Sequence, residues 1–81
     1  MTEWNGIVVG GLYKRLTTLA GEDSGVHALV VGFEPPEPGP RKRIVRVILL
    51  EEGKVRSAKT MGWRADDGTY NFGHALYKEV V

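Results

Sequence analysis

Along most of the chain, apolar residues alternate with polar ones in short runs cut by glycine. This period of two marks strands, because successive side chains of a strand point to opposite faces. VHALVVGF (Val26 to Phe33) is rich in β-branched and aromatic residues and predicts one strand. RIVRVILL (Arg43 to Leu50) predicts a second, with Val45, Val47 and Leu49 on one face and Ile44, Arg46, Ile48 and Leu50 on the other. KVRSAKTMGW (Lys54 to Trp63) predicts a third. Glu51-Glu52-Gly53 between the last two fits a three-residue hairpin loop, a type I turn followed by glycine in the left-handed conformation. That loop pairs Leu50 with Lys54. It sets Val45, Val47 and Leu49 on one face with Val55, Ser57, Lys59 and Met61, and Ile44, Arg46 and Ile48 opposite with Lys54, Arg56 and Ala58. A slip of one residue reverses the assignment on one strand.

The first third of the chain carries two signals. Leu12, Leu16, Leu19 and Ala20 have helical spacing, and Gly21 suits a helix end. Against this, Gly10-Gly11 begin a helix poorly and Thr17-Thr18 favour a strand. A strand through GLYKRLTT is the preferred expectation, and a small α+β fold with a helix around residues 12–20 the alternative. GEDSG reads as a loop, ADDGTYN as turns, NFGHAL as a single helical turn and LYKEVV as a closing strand. The sum is mainly β: a five-stranded antiparallel barrel or strongly bent sheet. The order of strands and loops resembles an SH3-like small barrel in layout, with an OB-like barrel as an alternative.

With 81 residues, the chain predicts one domain, residues 1–81. FEPPEPGP does not divide it, because neither flanking piece is long enough to bury a core alone. Proline donates no ladder hydrogen bond, so this stretch predicts a stiff exposed connection between two strands. A hydrophobic content of 42% argues against disorder, and the lack of cysteine removes disulfides, thiolate metal sites and thiol nucleophiles. No signal-like or membrane-spanning apolar run is present, so a cytoplasmic location is expected.

Charge changes the picture more than composition does. Residues 1–40 carry net −3, residues 41–64 net +6 and residues 65–81 net −2. Arg41, Lys42, Arg43, Arg46, Lys54 and Arg56 therefore form a candidate anion-binding set on the middle hairpin. Trp63 or Tyr70 would stack or wedge beside them, with Phe72 near. Nucleic acid is the first expected partner. The alternative is an acidic surface on a larger protein, with the chain acting as adaptor or inhibitor. An edge strand gives a further route to a partner or to a homodimer.

No catalytic set emerges. Asp23-Ser24-Gly25 is better read as an acidic turn than as a nucleophile segment, because the chain offers no two-barrel frame and no G-x-S-x-G elbow. Asp66, Asp67 and His74 lack the ligand spacing of calcium or zinc sites. His27 and His74 have no identified acid partner. The expectation is a binding module that is not an enzyme and takes no cofactor or metal.

Overall fold

The computed structural model describes residues 2–17, 23–34 and 43–80. Eight strands follow one another: β1 (Glu3–Trp4), β2 (Ile7–Val8), β3 (Leu12–Leu16), β4 (Asp23–Phe33), β5 (Arg43–Glu51), β6 (Lys54–Arg64), β7 (Tyr70–Phe72) and β8 (Ala75–Glu79). β3 to β8 pair in chain order and close into an antiparallel barrel through β3 and β8, while β1 and β2 form a separate hairpin. The expected small mainly-β barrel is therefore present. Its wall has six strands rather than five, because Tyr70–Phe72 pairs on both sides although it spans only three residues. No helix occurs among the described residues. The segment expected to form a helical turn is a tight hairpin instead: Gly73 and His74 link Phe72 to Ala75. Gly73 at φ 67° supplies the positive φ of a type II′ turn. Leu12–Leu16 is strand, so the helical alternative fails over those residues; residues 18–20 lie outside the described set.

The interior follows from the alternation. Val26, Ala28 and Val30 of β4, Val45 and Val47 of β5, and Tyr70, Phe72 and Tyr77 face inward and are buried with Tyr13 and Ile7. Tyr13 meets Tyr70 at 5.1 Å and Phe72 at 5.4 Å, and Phe72 meets Tyr77 at 5.0 Å, all edge to face. Each such pair adds about 0.5–1.5 kcal/mol beyond the area it buries. Gly62 sits where a side chain would collide with this core, its hypothetical Cβ 2.7 Å from Val45 Cγ2.

The β1–β2 hairpin plugs into the barrel through Ile7. Its turn is Asn5-Gly6, both at positive φ (49° and 85°), a type I′ pair suited to the twist of a hairpin. The Tyr13 hydroxyl fastens the plug. It accepts a hydrogen bond from the Val8 N–H at 3.1 Å and donates to the Gly6 carbonyl at 3.2 Å.

Two bulges interrupt the ladders. The β3–β4 register shifts between Lys14 and Leu16, beside Gly25 at φ 80°. There the Ser24 hydroxyl donates to the Arg15 carbonyl at 3.0 Å and accepts from the Val26 N–H at 3.3 Å. Asp23-Ser24-Gly25 thus belongs to a strand with a kink, not to a free loop. The second shift falls between Val30 and Gly32. It turns Phe33 inward beside Val45, so Phe33 does not share the face of His27 and Leu29 as plain alternation predicts.

Burial raises the pKa of both Tyr13 and Tyr77 above the ordinary value near 10. For Tyr13 the hydrogen bond from Val8 opposes this, while the phenol of Tyr70 and the carboxylates of Glu79 and Glu3 reinforce it. For Tyr77, Arg15 and Arg56 oppose the rise and Glu51 adds to it. The fold therefore favours the neutral phenols. This stabilisation is complete below pH about 10, the unfolded value, and is lost as pH rises through the higher folded values. Urea unfolding followed from pH 8 to 12 should show that fall. Tyr13→Phe should make it shallower while costing about 1–2 kcal/mol at neutral pH through the two lost hydrogen bonds.

Candidate functional site

β5 and β6 form the longest ladder of the barrel, from Arg43↔Gly62 to Glu51↔Lys54. The loop between them has two residues, Glu52 and Gly53, at φ 51° and 74°. It is a type I′ turn, not the expected three-residue loop, and the register slips by one accordingly: Leu50 faces Val55, Ile48 faces Ser57 and Arg46 faces Lys59. The faces expected for β6 are exchanged. Lys54, Arg56 and Ala58 share the inward side with Val45, Val47 and Leu49. Val55, Ser57, Lys59 and Met61 share the outer side with Ile44, Arg46, Ile48 and Leu50.

This register divides the candidate cations. Arg46 stands on the outer wall, while Lys54 and Arg56 stand on the other face of the ribbon at its exposed tip. Arg43 lies at the far end of β5, half-buried, its guanidinium carbon 5.9 Å from the centre of the Phe33 ring. Its Nε is buried without a hydrogen-bond partner among the described residues. Arg41 and Lys42 lie outside the described residues, as does the proline-rich connection. Tyr70 and Phe72 are core residues, buried at the centre of the edge-to-face cluster, so neither ring is free to stack on a partner. Trp63 is half-buried and keeps some exposed surface.

What the structure does assemble is an apolar wall. On the outside of the barrel, Leu12, Leu29, Ile48 and Ser57 lie side by side across β3, β4, β5 and β6. The next row holds Lys14, His27, Leu50 and Val55. Val31, Leu50 and Val55 are 41%, 36% and 68% exposed, and Val80, whose N–H bonds the Leu12 carbonyl, is 39% exposed. Among the described residues, four of the five large apolar side chains most open to solvent thus lie on or beside the outer faces of these strands. A shallow depression of about 500 Å³ runs between Val31, Ile48, Ser57, Arg46 and Lys59.

Cations border this wall. Lys14 pairs with Lys78 at one flank, and Arg46 with Lys59 at the other. Glu34 lies between the second pair, 3.1 Å from Lys59 Nζ and 3.8 Å from Arg46 Nε. One carboxylate against two cations leaves that flank positive. Gly32 makes room for the arrangement, since a Cβ there would sit 2.6 Å from the Arg46 guanidinium.

Asp67 has a structural role. A carboxylate oxygen of Asp67 accepts from the Thr69 N–H at 3.0 Å and its hydroxyl at 2.6 Å, which closes the turn before β7. Those bonds hold the Asp67 carboxyl below the usual carboxylate range. No helix among the described residues is long and apolar enough to cross a membrane.

Comparison of the chain with protein-family models, with curated proteins and with solved structures found no match. The apolar wall escaped the sequence reading because its membership depends on the register. A signal for that register was present: a non-glycine residue followed by glycine between two alternating runs fits a two-residue turn as well as a three-residue one.

The ion pairs of Glu34 are exposed, with Arg46 and Lys59 side chains 52% and 67% open, so solvent screens them. Glu34→Gln should change the unfolding free energy by less than about 1 kcal/mol in a urea titration. The substitution should leave the fold intact while adding one net positive charge to the rim.

Proposed function

We propose that this barrel is a non-enzymatic binding module that docks an acidic protein surface on the outer wall of β3 to β6. The observation that carries this reading is the coincidence of the exposed apolar rows with a positive rim on the same wall. Burying the apolar centre favours association, and a rim of one sign selects a partner of the opposite sign. Contiguous exposed apolar surface of this kind marks an interaction site more often than plain solvated surface.

Binding of nucleic acid through the middle hairpin is less well supported. Phosphate recognition needs cations converging on one backbone, and here Arg46 faces away from Lys54 and Arg56. Stacking needs exposed rings, and Tyr70 and Phe72 are spent on the core.

A photoreactive benzoylphenylalanine at Leu50 or Val31 should cross-link one protein partner in the cell of origin, and the same group at His74, on the β7–β8 turn, should not. With the purified partner, Leu50→Glu should weaken binding at least about tenfold, equivalent to about 1.4 kcal/mol. Cross-linking to RNA or DNA, or equal cross-linking from His74, contradicts the reading.

A further inference from the structure

The β6 strand is much longer than the hairpin that pairs with its second edge. β7 reaches only Gly62, Trp63 and Arg64, and the Gly73 N–H bonds the Met61 carbonyl at 2.8 Å just before the chain turns back. From Lys54 to Thr60, no described strand lies on that edge.

The turn fixes which groups are left there. In a two-residue hairpin the flanking residues, Glu51 and Lys54, exchange both of their hydrogen bonds. Alternation then directs the backbone of Lys54, Arg56, Ala58 and Thr60 toward β5. The N–H and C=O groups of Val55, Ser57 and Lys59 point the other way. Two contacts confirm the phase: the Met61 carbonyl bonds Gly73 on the outer edge, and the Ile44 carbonyl of β5 bonds the Glu34 N–H on the far side. Three donors and three acceptors therefore stand in a row without partners among the described residues.

We infer that this edge takes up an extended acidic segment of the partner protein as an added antiparallel strand, an inference that rests on the protein-docking reading above. The added strand would complete the backbone ladder at Val55, Ser57 and Lys59. Its side chains would alternate between two environments. One face meets Lys54 and Arg56 and suits carboxylates. The other lies beside Val55, Ser57 and Lys59, and valine or isoleucine next to Val55 would extend the apolar row there. A second copy of this chain is disfavoured as the occupant: residues 54–62 contain Lys54, Arg56 and Lys59 and no carboxylate, so two such edges would bring six cations together. The cations that guard the edge against self-pairing are those that select an acidic strand.

The test uses the full chain, labelled for NMR, and an end-blocked octapeptide of alternating glutamate and valine as probe. At low salt the amides of Val55, Ser57 and Lys59 should slow in hydrogen exchange at least about tenfold. Those of Arg56 and Ala58, already bonded within the hairpin, should change little. Methylating the peptide nitrogens that face β6 should abolish the effect. Ser57→Pro removes a donor that the barrel does not use, and should prevent binding with the fold retained. Lys54→Glu with Arg56→Glu, both exposed, should shift preference to a lysine–valine peptide and serves should the proline variant not fold. No protection at these three amides with millimolar peptide overturns the inference, as does equal binding of the lysine–valine peptide by the unmodified chain. Protection that grows with protein concentration in the absence of peptide overturns it in favour of a second copy. Shifts confined to Leu12, Leu29 and Ile48 remove the edge strand but leave the outer-wall reading standing.

Discussion

Both residues that join β5 to β6 hold positive φ, and Glu52 does so at 51° without the freedom of glycine. A left-handed non-glycine residue costs roughly 1–2 kcal/mol. The long ladder behind the turn over-determines it, since nine residue pairs run from Glu51↔Lys54 to Arg43↔Gly62. This constraint sets the phase of everything on β6. With it, Ala58 and Gly62 fall beneath the core and Val55, Ser57 and Lys59 fall outside. A loop one residue longer would direct Val55 and Met61 at the interior and leave Ala58 on the surface.

Gly62 shows why the interior accepts only one of these phases. Val45, Phe72 and Ile7 all come within 3.4 Å of the space a side chain would fill there. Only a residue without Cβ suits that position, and the two-residue turn delivers it. The aromatic cluster then draws β7 and β8 onto the upper part of β6 through Tyr70, Phe72 and Tyr77. Because β7 is three residues long, closure of the barrel is local, and the lower part of β6 continues past it. The compact core and the open edge share one cause, a short closing hairpin against a long central one.

Much of the fold was legible in the alternation. Arg43 to Leu50 and Lys54 to Trp63 are strands within one residue of their observed ends, and the strand expected from Val26 to Phe33 begins three residues earlier, at Asp23. Three features were not. Tyr70–Phe72 is too short to show a period, and its pattern of a half-buried residue between two buried ones declares itself only against neighbours. The bulge at Val31 reverses the facing of Phe33 by adding one residue, which a strict alternation cannot register. The two-residue turn differs from a three-residue one in backbone angles that Glu51-Glu52-Gly53 does not dictate locally. The candidate site suffered most from this last point. The cations were visible as a block in the sequence, but whether they converge is a matter of register, and the register separates Arg46 from Arg56.

The phase of the β5–β6 ladder is the premise on which the apolar wall and the open edge both stand. Cross-strand contacts between Hα protons measure it directly, because these are short only at pairs that do not exchange hydrogen bonds. The account predicts strong Hα–Hα nuclear Overhauser effects for Leu50 with Val55, Ile48 with Ser57 and Arg46 with Lys59. Effects linking Leu49 with Val55 and Val47 with Ser57 would establish the slipped register and contradict it.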